Sequence, residues 1–306
     1  MRNVGIAAAL AAVVLACAAV AGGCTAGTAA PGGDGRLQVV AAENVWGSIA
    51  SQLAGNRLRV SSVITNPAAD PHDYEPTAAD ARAVAQARMV VVNGAGYDPW
   101  MDKLIASNPD DRRVVLDVGD LVGVESGGNP HRWYSPADVQ TVIRELARDY
   151  RRLDPKDGAY FRRRQARFEA GGLARYRHLI STIRRKYRGV PVGASESIFT
   201  PLSDALGLRL LTPASFLRAV SEGAEPTARD TSTIDRQIAR RQIKVWVFNR
   251  QNSTPDVQRL TDAARKRGIP VTTVTETLTP DNGTFQSWQS RQLAALEVAL
   301  AKATGR

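Results

Sequence analysis

Met89-Val90-Val91-Val92 is an unbroken apolar run, set between an alanine-rich amphipathic stretch at 78–87 and the turn-forming pair Asn93-Gly94. Three of its four residues are β-branched, and a strand without polar alternation is one buried on both faces. Such strands belong to parallel sheets covered by helices. Upstream, residues 37–42 and 58–64 read as strands, and 45–53 as a helix ending near Gly55-Asn56. Downstream, 100–107 reads as a helix and 113–118 as a strand. This βαβα rhythm predicts a parallel sheet.

The rhythm then stops. Residues 136–153 and 157–187 carry helical patterns, the second longer than an ordinary crossover helix, with Ala159, Phe161, Phe168, Leu179 and Ile183 as its apolar positions. Gly171-Gly172 near its middle predicts a weak point or kink. Strand patterns return at 191–194, 208–211, 244–248 and 270–275, separated by helices, and a last helix spans 285–302. The expectation is an α/β protein of two lobes, 36–135 and 189–306, joined by linking helices over 136–188. No sequence repeat relates the two lobes.

The first residues are of another kind. Arg2 is the only charge before an apolar run from Val4 to Ala21, followed by Gly22-Gly23-Cys24. At about 18 residues the run is short for a spanning helix and reads as the apolar region of a signal peptide, residues 1–23. The small residues before Cys24 resemble a lipobox, with Cys17 a looser match. Residues 24–35, rich in Ala, Gly, Thr and Pro, cannot bury a core and read as a lipidated tether. The chain has two cysteines, so acylation of Cys24 leaves the mature chain without a thiol for a disulfide or a cysteine-based zinc site.

The 306 residues are 43% hydrophobic and 23% charged, with a formal net charge of +10. Such a balance raises nucleic acid or an anionic membrane surface as partners. An extracytoplasmic location argues against nucleic acid, and aromatic residues are not interleaved with the basic ones. Much of the charge falls between Arg151 and Lys186, where a solvated helix face is the plain reading and attraction to anionic lipid the alternative.

Histidine is scarce: His72, His131 and His178. His72 lies in Asp70-Pro71-His72-Asp73-Tyr74-Glu75-Pro76, after the second strand, and His131 in Asn129-Pro130-His131-Arg132-Trp133, after the fourth. Both loops leave strands at their C-terminal ends, where open α/β sheets place ligands. Both histidines follow a proline, which restricts the backbone before it. Two such imidazoles could share a metal. His178, mid-helix among arginines, reads as a surface residue.

Through these strings, residues 36–306 resemble the metal-binding lipoproteins of Zn²⁺/Mn²⁺ ABC importers, the ZnuA-like solute-binding proteins. Further matching pieces are Asp80, Val91-Val92-Asn93-Gly94 before Pro99-Trp100, Ser195-Glu196, and Glu222-Gly223-Ala224-Glu225-Pro226. The resemblance implies two lobes joined by a long rigid helix, with a Mn²⁺ or Zn²⁺ ion in the cleft between them. It implies a monomer, anchored by lipid to the outer face of the cell membrane, that delivers the ion to a permease with a separate ATPase subunit. Carried over by position, the ligands are His72, His131, Glu196 and Glu276, with Asp281 the alternative to Glu276. Two imidazoles and two carboxylates balance a 2+ ion; the carboxylates favour Mn²⁺ relative to a three-histidine site, and the general affinity order favours Zn²⁺. Binding is expected to weaken as pH falls, the imidazoles protonating first and the acids below them.

The chain departs from that family in two places. Residues 120–129 are short and lack the histidine-rich insertion of many zinc-type members. Asn249-Arg250-Gln251-Asn252-Ser253 stands where an acid and a proline are expected. A metal-dependent hydrolase is the rival reading, since His₂-carboxylate sets also hold catalytic zinc, although the chain lacks an HExxH helix. An adhesin or a binder of organic solutes is a second. With no P-loop in the sequence, ATP hydrolysis belongs to another subunit.

Overall fold

The computed structural model describes residues 35–67, 74–280 and 282–306. The first sheet is built from β1 (Gln38–Glu43), β2 (Arg59–Ile64), β3 (Met89–Val92) and β4 (Val114–Asp117). All are parallel, in the order β2-β1-β3-β4. Each residue of β3 is buried, as its unbroken apolar run predicts. The covering helices are α1 (Asn44–Ala54), α2 (Ala78–Gln86), α3 (Pro99–Ser107) and the short α4 (Val118–Val122).

The second sheet is β5 (Pro191–Ala194), β6 (Arg209–Leu210), β7 (Val245–Asn249) and β8 (Val271–Val274), parallel in the order β6-β5-β7-β8. The two sheets therefore have the same strand topology without a detectable sequence repeat. Helices α8 (Thr200–Leu206), α9 (Ala214–Ser221), α10 (Ala228–Ala239), α11 (Pro255–Lys266) and α12 (Phe285–Thr304) complete this half.

Between the sheets run α5 (Pro136–Leu153), α6 (Gly158–Arg167) and α7 (Ala174–Tyr187). Ser135 caps α5 by accepting from the Asp138 N–H, and Pro136 occupies a first-turn position where no N–H is needed. Val139, Val142, Ile143, Leu146 and Tyr150 fall on its buried face. The weak point expected at Gly171-Gly172 is a π-turn over Phe168–Gly172, in which the Leu173 N–H donates to Phe168 O at 2.9 Å. A Cβ on Gly172 would lie 2.8 Å from the Phe168 ring, so the turn needs glycine there.

Apolar packing explains how the halves hold together. One cluster contains Val39 and Val91 of the first sheet, Ile143 and Ile183 of the linking helices, and Val192, Val245 and Leu293 of the second half. Each half also has an outer cluster, around Val90 and Met101 in the first and around Phe216 and Trp246 in the second. With the inner cluster common to both, residues 36–306 form one compact unit. Polar contacts reinforce it: the Leu278 N–H donates to Asn44 Oδ1 (3.1 Å), the Phe285 N–H to Ser48 Oγ (2.9 Å), and Tyr134 OH to Thr275 O (3.0 Å).

Candidate metal centre

The loop after β4 brings His131 to the seam between the halves, where it is fully buried. Its posture follows from the residues around it. Asn129 Oδ1 accepts from the His131 backbone N–H at 3.1 Å and lies 2.9 Å from its Nδ1. Asn129 Nδ2 reaches across to Ser197 O at 2.8 Å. Asn93, the first residue after β3, donates to Pro130 O (2.9 Å) and accepts from the Trp46 indole (3.0 Å). The Asn93-Gly94 turn is itself held by Asp98, whose carboxylate accepts both backbone N–H groups, at 2.7 and 2.8 Å. Gly94 has φ +66°, and a Cβ there would strike the Asp117 carboxylate. Trp133 and Tyr97 pack edge-on against the imidazole, with ring centroids 5.4 and 5.9 Å away.

The second half contributes Glu196, directly after β5, and Glu276, just beyond β8; they are 1% and 7% exposed. His131 Nε2 lies 3.6 Å from Glu196 Oε1 and 3.2 Å from Glu276 Oε2. Among the described residues Nε2 has no hydrogen-bond partner, and the three side chains form a buried group whose candidate ligand atoms all lie within 4.8 Å of one another. An ion bonded at about 2.1 Å to tetrahedral ligands has ligand atoms about 3.4 Å apart, so the spacing suits a small transition-metal ion. With Nδ1 committed to a carbonyl-type acceptor, the imidazole presents a lone pair from Nε2.

Asn249, the last residue of β7, completes the arrangement. Its Nδ2 donates to Glu196 Oε2 at 2.5 Å and to Glu276 Oε1 at 2.7 Å, holding one oxygen of each acid and leaving the other near His131. Its backbone N–H donates to Ser195 Oγ. Tyr97 OH donates to Glu276 Oε2 at 3.2 Å. Neither Asn249 nor Tyr97 was assigned a role from sequence. The departure from the family pattern at 249 was the one available signal, and its meaning needed the fold.

Burial sets the protonation states. It drives the His131 imidazole down to about 4, against the opposing pull of Glu196. Burial, then the neighbouring Glu276, raises Glu196 to about 8, against His131 and Asn249. The expected order of protonation is therefore reversed at His131 and Glu196: the acid takes up a proton first, because burial disfavours the charged form of each group, the carboxylate of one and the imidazolium of the other.

The remaining sequence candidates fall elsewhere. His72, Asp73, Asp281 and Cys24 lie outside the described residues. His178 is exposed on α7, and Glu222 and Glu225 are exposed beyond α9. Asp80 forms a capping box with Thr77 at the start of α2 and accepts from Tyr74 OH at 3.0 Å, fastening the end of the His72 loop to that helix.

Residues 39–299 match the family described as ZnuA, zinc-uptake complex component A periplasmic. The manganese-binding lipoprotein MntA of Halalkalibacterium halodurans is 30% identical over 151 residues, 48% of this chain and 50% of that protein. The metal ABC transporter substrate-binding lipoprotein FimA of Streptococcus parasanguinis is 25% identical over 81% of this chain and 82% of its own length. Among solved structures, the Mn-bound periplasmic metal-binding protein of candidatus Liberibacter asiaticus superposes with a TM-score of 0.70 at 17% identity, covering 87% of this chain and all of that one. The periplasmic zinc-binding protein TroA of Treponema pallidum does so with a TM-score of 0.70 at 18% identity, over 87% and 99%. These likenesses show the two-lobed α/β fold, and the family match over most of the length identifies the chain as a member of the zinc-uptake component A family of periplasmic substrate-binding proteins.

Proposed function

We propose that this protein captures Mn²⁺ or Zn²⁺ outside the cytoplasmic membrane and passes it to an ABC importer made of a permease and a separate ATPase. The observation that carries the reading is the buried meeting of His131 Nε2 with one oxygen each of Glu196 and Glu276, drawn from both halves of the molecule. Residues from both halves then enclose the ion, so neither half is a complete cage. His72 supplies the fourth ligand in this reading. Near-complete burial leaves little room for a substrate beyond the ion, which favours a carrier over a hydrolase. The carboxylates favour Mn²⁺ relative to a three-histidine site.

The leader at 1–23, the lipidated Cys24 and the tether at 24–35 belong to the same proposal, as does a monomeric state. Cys24→Ala is expected to abolish lipid labelling and Cys17→Ala to leave it intact. The deciding experiment is competition for Mn²⁺, Zn²⁺ and Fe²⁺ after chelator treatment, on the wild type, His72→Ala, His131→Ala and Glu196→His. Loss of most high-affinity binding in the alanine variants, and a shift towards Zn²⁺ in Glu196→His, are expected. Wild-type affinity in either alanine variant rejects the site.

A further inference from the structure

The stretch from Gly158 to Arg188 contains ten Lys and Arg residues and a single acid, Glu169, and so holds nine of the chain's ten net positive charges. It is the α6, π-turn and α7 segment, about 45 Å long at the helical rise. One stripe is anchored in the core through Phe161, Phe168, Leu173, Tyr176, Ile183 and Tyr187. The outward side carries Arg162, Arg163, Arg167, Arg175, Arg177 and Arg185, all exposed. None of these six has an ion-pair partner among the described residues, whereas Arg148, Arg259 and Arg265 on other helices are each paired with an acid. A solvated helix face is usually laced with both signs of charge; this one is not.

Its position is specific. At one end, Tyr160 OH accepts from the Asn56 N–H (3.3 Å) and lies under the Arg57 guanidinium, which pairs with Asp157. At the other, α7 ends at Tyr187, and the Val190 N–H bonds Tyr187 O just before β5 begins. Both ends therefore meet the N-terminal edges of the sheets, opposite the strand ends that lead to His131, Glu196 and Glu276. Arg36, where the chain joins the folded unit, donates to Asn56 O at 3.5 Å, beside the start of the same helix. The residues between Cys24 and Arg36 can span at most about 40 Å, which keeps the basic face within reach of a membrane that holds Cys24.

We infer that, between encounters with the permease, the outer face of α6–α7 binds the anionic phosphate headgroups of a phospholipid membrane, with the metal-site edge of the molecule turned outward for capture. The inference rests on the proposed extracytoplasmic, tethered state for its biological setting, and the test is independent of it. Attraction between a polybasic surface and an anionic bilayer gains about fivefold in partition per arginine near the surface and fades with salt. A partner protein with an acidic surface is the competing occupant.

The experiment uses the non-acylated chain from residue 25 onward, which retains the whole 36–306 unit and its cores. Co-sedimentation is measured with vesicles of phosphatidylcholine alone and with a phosphatidylglycerol admixture, at low and high salt. Expected are binding to the anionic vesicles only, its loss at high salt, and at least a tenfold drop in partition for Arg162→Gln/Arg163→Gln/Arg175→Gln/Arg185→Gln. Arg240→Gln/Arg241→Gln/Arg267→Gln, which removes charge on the second half, is expected to bind as the wild type does. Equal binding to neutral vesicles, no binding to anionic ones, or full binding by the quadruple variant overturns the inference, the last two leaving an acidic protein as the occupant. Metal affinity of the same preparations is read separately, so failure of the metal site cannot be confused with failure of this face. If the quadruple variant fails to fold, the paired variants Arg162→Gln/Arg163→Gln and Arg175→Gln/Arg185→Gln replace it, and full binding by both overturns the inference.

Discussion

Asn129 Oδ1 lies 2.9 Å from Nδ1 of His131, and that contact assigns the tautomer of the imidazole. An amide oxygen only accepts, so Nδ1 carries the proton and Nε2 faces Glu196 and Glu276 with its lone pair. Asn129→Ala is expected to weaken metal binding about 10- to 100-fold, the usual cost of losing the partner that orients a ligating histidine. Asn129→Asp keeps the acceptor but loses the donation to Ser197 O, and should recover part of the affinity. Competition against a chelator of known strength measures both, and an unaltered Asn129→Ala would remove the tautomer argument.

Glu196 makes binding depend on pH from the alkaline side. Its carboxyl is raised to about 8 by burial and by Glu276, so near neutrality the metal-free protein holds a proton that the ion must displace. Affinity should then rise about tenfold per pH unit from pH 7 towards pH 8 and level off above it. His131, held down at about 4, is neutral throughout that range and adds no slope. Calorimetry in buffers of different ionisation enthalpy should read about one proton released at pH 7. Glu196→Gln should release none.

Asn249 is the shared donor between two buried acids, and its hydrogen bond to Glu196 opposes the rise of that carboxyl. Removing it lets the two carboxyls hold a common proton more tightly. Asn249→Ala should therefore shift the pH profile of binding upward and cost roughly tenfold in affinity at pH 7, the worth of one charge-assisted hydrogen bond. A loss of affinity that is the same at pH 7 and pH 9 would mean that Asn249 acts on packing alone.

Glu43 closes β1 with both carboxylate oxygens buried beside the carboxyl group of Asp98. Burial, and then Asp98, hold its pKa well above the usual carboxylate range. An acid whose folded pKa is raised stabilises the fold least when it is forced to ionise, so its penalty appears as pH rises above the unfolded value of the group. Glu43→Gln should raise Tm by about 2–4 °C per kcal/mol relieved at pH 8 and leave it unchanged near pH 4. Thermal melts of metal-free protein at the two pH values check this.

The secondary structure was legible residue by residue because its causes are local. Met89–Val92 needed only its own side chains to declare a strand buried on both faces, and Ser135-Pro136 announced the start of α5. Gly171-Gly172 marked the weak point of the long helical stretch, but the π-turn there depends on the Phe168 ring lying over Gly172. His131 stood out by scarcity and by the Asn-Pro before it, and the acids at 196 and 276 through family likeness. What the tertiary structure decided was how these groups act on one another. Asn249 meets Glu196 and Glu276 across 53 and 27 residues of chain, a distance no local pattern spans. The reversed protonation of His131 and Glu196 comes from hydration lost on burial, which exists only once both halves have closed over one core.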